Sequence, residues 1–265
     1  ERLERSLGRE GALPAALHPV VLQGLEALET SLSPFHLHVL QNLVRTVSGV
    51  HRARLAEWLE TRASRETDRG ARATLLLFWA RLTGDSQPGR VIAQLETLLK
   101  TRLAPKQELE TKLLLGRLGL RQGIKAGSSR SLRFLTEVSR RGEGSLPAQG
   151  AFGLGLWYTR PGQLAQAHQH YQRAAKLFAE AGDSLGQGQA LMNRALLCKD
   201  QRNWKEALAL AESARRLQES LPPEEQRRAS FLNNLAAIQA GMGNLQESHR
   251  LYTEALALAR HDDNR

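Results

Sequence analysis

The chain has 265 residues with 41% hydrophobic and only 5% aromatic side chains. That length suits two domains or one elongated repeat array, and the Leu- and Ala-rich composition favours many thin helix interfaces over a β-sandwich. A net charge of +10 raises the question of an acidic partner, whereas the single cysteine, Cys198, excludes a disulfide framework and a multi-cysteine zinc site.

In chain order, Glu1 to Gly11 is charged and carries apolar residues only at Leu3 and Leu7, enough for one short amphipathic turn. Pro14 suits the first turn of a helix running to about Thr30 with the stripe Leu17, Val21, Leu25 and Leu28. Ser33-Pro34 reads as an N-cap followed by proline at the first helical position, opening a helix with Leu37, Leu40, Leu43 and Val47 that stops near Gly49. Helices follow over His51 to Ser64 and Arg72 to Leu82, then a turn cluster from Gly84 to Gly89. Val91, Leu95 and Leu98 start the next stripe, and Pro105 opens a helix to about Gln122 that the Gly127-Ser128-Ser129 turn follows. Leu132, Leu135 and Val138 make another, broken by Gly142-Glu143-Gly144-Ser145. No stretch alternates with period two for long enough to be a strand, so the chain is all-α, about thirteen helices with short loops.

The last 120 residues repeat. Gly162, Arg202 and Gly243 each stand at a turn, and Ala167, Ala207 and Ser248, five residues on, are 40 and 41 apart. Twelve residues before these come Gly155, Ala195 and Ala236, and seven after come Ala174, Ala214 and Ala255. Two antiparallel helices approach closely only where side chains are short, and a bulky residue would cost about 1–3 kcal/mol in overpacking. Tyr171 and Tyr252 are expected to fill the space toward a neighbouring hairpin, with Ala211 the departure in the middle unit. Traced backwards by spacing, Gly116, Ala80 and Asn42 mark degenerate units that lack the full pattern: Ser128, twelve after Gly116, is small enough for the packing position but falls in a Gly-Ser-Ser turn, with Lys125 where a large apolar residue is expected.

This period and pattern resemble the tetratricopeptide repeat. Leu232-Asn233-Asn234-Leu235-Ala236 and the roughly 40-residue spacing are similar to kinesin light chains, and Ala181-Gly182-Asp183 with Gly188-Gln189-Ala190 to the repeat regions of bacterial MalT-type regulators. The resemblance implies a right-handed α-solenoid of stacked helical hairpins, one continuous superhelix with degenerate, basic repeats over 1–145 and well-formed repeats over 146–265. It implies that the first helix of each hairpin lines a concave face. There Asn193 and Asn234, aligned with each other, would grip the backbone of a bound peptide through amides that both donate and accept. Asn233, Lys199, Gln189 and Arg160 are their candidate neighbours. The bland alternative is that these asparagines bond locally or to solvent.

The chain thus reads as a non-enzymatic binding scaffold with no cofactor. Its expected partner is a protein or peptide segment, another domain of the same parent chain, or a small-molecule inducer. The MalT-type resemblance points to the sensor or regulatory segment of a bacterial multidomain transcription regulator. The 30 Arg against 7 Lys fit a GC-rich genome. Because the chain opens at Glu1 rather than Met, it is expected to be a segment of a longer protein. The lone cysteine and the absence of a signal peptide or bilayer-length apolar run suggest a cytoplasmic protein away from the membrane. The alternative function is nucleic-acid binding by the basic half, since residues 1–145 hold 23 Lys+Arg against 15 Asp+Glu and residues 146–265 only 14 against 12. No run of five or six like charges forms a basic arm.

Other chemistry is weakly signalled. His36/His38 and His168/His170 are two apart, so each pair points to different helix faces, whereas zinc on a helix wants three- or four-residue spacing. Cys198 reads as a buried inert thiol, and Trp58, Trp79, Trp157 and Trp204 as core rather than base-stacking residues. Gly150 to Gly155 has the look of a glycine-rich loop but lacks a preceding strand and falls inside the repeat register.

Overall fold

The computed structural model describes residues 15–26, 32–47, 49–122, 128–159, 162–221, 226 and 228–263. Among them, after a 3-10 turn at Ala15–Leu17, lie thirteen α-helices and no strand. The first six are α1 (His18–Glu26), α2 (Pro34–Thr46), α3 (Gly49–Arg65), α4 (Arg69–Thr83), α5 (Pro88–Leu99) and α6 (Pro105–Arg121). The rest are α7 (Ser128–Arg141), α8 (Leu146–Trp157), α9 (Leu164–Glu180), α10 (Ser184–Asp200), α11 (Trp204–Glu219), α12 (Arg228–Gly241) and α13 (Leu245–Asp263). Glu1 to Gly11, Pro14, Leu28 and Thr30 lie outside the described residues, so the expectations resting on them find no counterpart here.

Local chemistry sets the helix starts. The Ser33 hydroxyl accepts from the His36 backbone N–H at 3.3 Å, and the Ser33 N–H donates to His36 Nδ1 at 3.1 Å, a reciprocal cap in which histidine replaces the usual Glu or Gln. Asp68 accepts from the Ala71 N–H at 2.7 Å, starting α4 at Arg69, three residues before the sequence expectation. Asp183 does the same for α10 through the Gly186 N–H at 2.7 Å.

The chain divides into two compact units, residues 1–118 and 119–265, with the division inside α6. In the first, α3 packs on α4 and α4 on α5, while α1 rests on α3 and α2 on α4. Leu40, Leu43, Leu55, Leu59, Leu75, Leu95 and Trp79 form its interior. Arg52 donates to the Leu82 carbonyl at 2.9 and 3.2 Å, placing a guanidinium where the C-terminal carbonyls of α4 carry partial negative charge.

In the second unit each helix from α7 to α13 packs on its sequence neighbour, and α10 also meets α12. The small positions read from the sequence are all interior: Gly155, Ala195 and Ala236; Ala167, Ala207 and Ser248; Ala174, Ala214 and Ala255. The shared turn residues Gly162, Arg202 and Gly243 have φ of 83°, 58° and 87°. This left-handed step lets the Asn203 N–H reach the Cys198 carbonyl at 2.8 Å and the Asn244 N–H reach that of Gln239 at 3.0 Å, closing the first helix of each hairpin.

One expectation is corrected. Tyr171 is fully buried against Phe152, Leu164 and Leu197, but Tyr252 is 41% exposed, because α13 is the last described helix and no described element lies where Leu197 lies for Tyr171. A small pair between α6 and α7 is Gly119 with Ser131, three residues beyond the Gly116 and Ser128 positions; Gly116 is buried, and the Ser128 side chain is outside what the structure describes. A methyl group at Gly119 would collide with the Ser131 hydroxyl, and Ser131 is 4% exposed. The twelve-residue separation survives, shifted by three.

Candidate functional site on the first helices of the second unit

Helix α10 is covered on two sides. Ala190 and Leu197 turn toward clusters that include residues of α9, and Met192, Ala195 and Cys198 toward the cluster formed with α11, α12 and α13. The stripe left between them is Gln189, Asn193 and Leu196, each half-buried, with exposed Asp200 at its end. On α12, Phe231, Leu232, Leu235 and Ile238 are buried, leaving Ser230 and Asn233 exposed and Asn234 and Ala237 half-buried. The 41-residue spacing sets Gln189 over Ser230, Asn193 over Asn234 and Leu196 over Ala237. Because α10 packs on α12, the two stripes share one face.

The amides on this face are not equivalent. Asn193 Nδ2 donates to the Gln189 carbonyl at 2.9 Å, one turn back, so the local bond named as the bland alternative is made. Only the amide nitrogen can donate to that carbonyl, and it does so with one of its two N–H groups, which leaves Asn193 Oδ1 as an acceptor and one N–H as a donor. Asn234 and Asn233 bond no other described residue. Lys199 lies at 2.6 Å from Asp200 in an ion pair. Arg160 lies outside the described residues.

The stripe stops at α8. There Gly153 takes the place of Asn193, and an added Cβ would come within 2.6 Å of the Leu135 side chain of α7. A Cβ at Gly150 would lie 2.6 Å from the Ser139 backbone nitrogen, and one at Gly155 2.6 Å from the Tyr171 ring. Glycine is required here for close approach. The run is the packed interior of a helix, and its backbone N–H groups are spent within it rather than gathered around a phosphate.

Cys198 is 1% exposed; burial and the nearby Glu206 carboxylate push its thiol up to about 11, so it stays protonated and unreactive at neutral pH. His36 is occupied in its cap, His38 Nε2 accepts from Asn42 at 3.3 Å, and His170 stacks on Tyr158 with ring centroids 5.2 Å apart. Burial, then the Arg173 charge, holds the His170 ring below its usual range. Among the described residues no three histidine, cysteine or carboxylate groups come together as a metal site. Trp79 and Trp157 are buried and Trp58 and Trp204 half-buried, with Trp204 capping Gly241.

In the basic half, many cations are used within the fold. Arg81 pairs with Glu110 at 3.0 Å, Lys112 with Glu108 at 2.5 Å, Arg141 with Glu137 at 2.5 Å and Arg90 with Glu60, and Arg90 also lies 5.7 Å from the Trp79 ring centre. The sequence reading missed a cleft of about 320 Å³ between α11, α12 and α13. Its rims are two matching ladders, Glu212-Arg215-Glu219 and Glu247-Arg250-Glu254, each arginine bonded to both carboxylates of its own helix. The signal was available as a Glu-x-x-Arg-x-x-x-Glu spacing that occurs twice, 35 residues apart. Among the described residues no helix is long and apolar enough to cross a membrane.

Hairpins stacked in chain order, joined at small residues twelve apart and closed by left-handed turns, define a helical-repeat solenoid of the tetratricopeptide kind. Residues 186–261 match the family model described as tetratricopeptide repeat, a family whose repeats generally mediate protein–protein interaction and are typically non-enzymatic. The crystal structure of BtubC (BKLC) from P. vanneervenii, a kinesin-light-chain-like repeat protein, is similar with a TM-score of 0.60 at 15% identity, covering 85% of this chain and 93% of that one. At that identity the likeness is one of fold. No curated protein matches the chain.

Proposed function

We propose that this chain is a non-enzymatic scaffold that holds an extended protein or peptide segment on the face shared by α10 and α12. The observation that carries the proposal is Asn193 and Asn234 in register on adjacent first helices, flanked by the half-buried Gln189, Leu196 and Ala237. An amide column of this kind meets a peptide backbone, which presents a donor and an acceptor at each residue. The finer reading is a sensor or regulatory segment of a bacterial multidomain transcription regulator, supported by the Ala181-Gly182-Asp183 and Gly188-Gln189-Ala190 pattern. The held segment is then another domain of the same parent chain, or an inducer competes for the face.

Selection of displayed random dodecapeptides on the immobilised chain tests the scaffold. The combined Asn193→Ala and Asn234→Ala variant should bind the selected peptides about tenfold to hundredfold more weakly, the loss expected from one net hydrogen bond at each position. Its far-UV circular dichroism should be unchanged. Full affinity in a folded double variant removes the site.

A further inference from the structure

Charge in the second unit is divided by helix. Helix α8 has no charged side chain in its 12 residues, and α12 has only Arg228 in 14. Helix α10 has three in 17, of which Lys199 and Asp200 neutralise each other and Arg194 reaches across to Glu206 of α11 at 2.7 Å. Arg228 likewise lies 3.7 Å from Glu254 of α13. By contrast α11 carries six charged side chains in 16 residues and α13 six in 19, while α9, with three in 17, matches α10. The charge of this unit is therefore densest on α11 and α13, while the α10/α12 face is amide, hydroxyl and hydrocarbon as far as Asp200 at its end, which pairs with Lys199.

We infer that the α10/α12 face selects an extended peptide segment without net charge, recognised by its backbone and by small or apolar side chains. The inference rests on the peptide-binding reading above and narrows it. Asn193 spends one amide N–H on the Gln189 carbonyl and keeps its Oδ1 acceptor and second N–H for a ligand, and a peptide backbone supplies an N–H at every non-proline residue and a carbonyl at each. Leu196 and Ala237, in register, give an apolar patch with no charge between them. A carboxylate, phosphate or ammonium group brought onto this face would lose water, and among the described residues of α10 and α12 every charged side chain already has an ion-pair partner. The fork of arginines or lysines that recognises acidic motifs is missing from the described residues of α8, α10 and α12.

The test uses the whole chain and the displayed dodecapeptides. Peptides enriched on it should average close to zero charge, and their dissociation constants should change less than about twofold between about 0.05 and 0.5 M salt, a range over which exposed charge pairs are progressively screened. Asn234→Lys should redirect the same selection toward acidic peptides, with a salt dependence the parent lacks. Enrichment of acidic or basic peptides whose binding weakens more than about tenfold with salt, yet still requires Asn193 and Asn234, overturns the inference and leaves the scaffold reading standing. No enrichment above an unrelated helical protein overturns both.

Discussion

Gly155→Ala is a stringent probe of the packing that positions the face. In an open helix, replacing glycine by alanine gains about 1 kcal/mol. At Gly155 the new Cβ would meet two Tyr171 ring carbons at 2.6 Å and a third at 3.0 Å. The ring cannot retreat easily: Tyr171 is fully buried, with Phe152 5.5 Å away and Leu197 on the far hairpin. Overpacking of this kind costs about 1–3 kcal/mol, and three short contacts on one rigid ring put the cost near the upper end. The net expectation is a loss of about 2 kcal/mol, or about 4–8 °C in the thermal midpoint of a unit this size. Gly24→Ala in α1, where an added Cβ meets nothing within 4 Å, is the control and should not destabilise. Circular dichroism melts of both, with Gly155→Ala/Tyr171→Leu as the rescue, give the reading. A stabilised Gly155→Ala, or no rescue, would refute the close-approach argument.

Arg202→Gly should stabilise by about 0.5–1 kcal/mol, since arginine holds φ at 58° where the other two repeats use glycine; a lower melting midpoint would contradict it. Tyr171→Phe should be neutral or stabilising by about 1 kcal/mol because the buried Tyr171 hydroxyl has no hydrogen-bond partner among the described residues, and a marked loss would reveal one. Cys198, its thiol raised to about 11, should react with a thiol reagent at pH 8 only after denaturation, since the folded thiol is protonated at every pH well below that value; fast native labelling would refute the burial argument. A gel shift with generic DNA and RNA at low salt should be negative, because many cations of the basic half already pair with carboxylates, and a salt-sensitive complex would restore the nucleic-acid alternative.

The hairpin packing was legible because sterics leave few choices at a close crossing: Ala195, Ala236, Ala167 and Ala207 recur at fixed spacing and all are buried. Where several small residues stand near one another, spacing alone cannot choose among them. Gly116 and Gly119 both sit twelve before a serine, and only the three-dimensional crossing shows that Gly119 meets Ser131. Tyr252 differs from Tyr171 for a related reason, since one position is covered by a following hairpin and the other stands on the last described helix. Of the proposed site, the register of Asn193 with Asn234 could be read from the repeat, but the bond that ties Asn193 to the Gln189 carbonyl could not. The scarcity of charge on α8, α10 and α12 could be counted in the sequence, whereas the ion pairs that occupy Arg194, Lys199 and Arg228 could not.

The most direct measurement is a nuclear magnetic resonance titration of the chain with a selected uncharged peptide, following side-chain amide signals. The expected result is perturbation concentrated at Gln189, Asn193, Asn233 and Asn234, absent in the Asn193→Ala/Asn234→Ala variant. Perturbation centred instead on the charged ladders of α11 and α13, with those four amides unmoved, would contradict it.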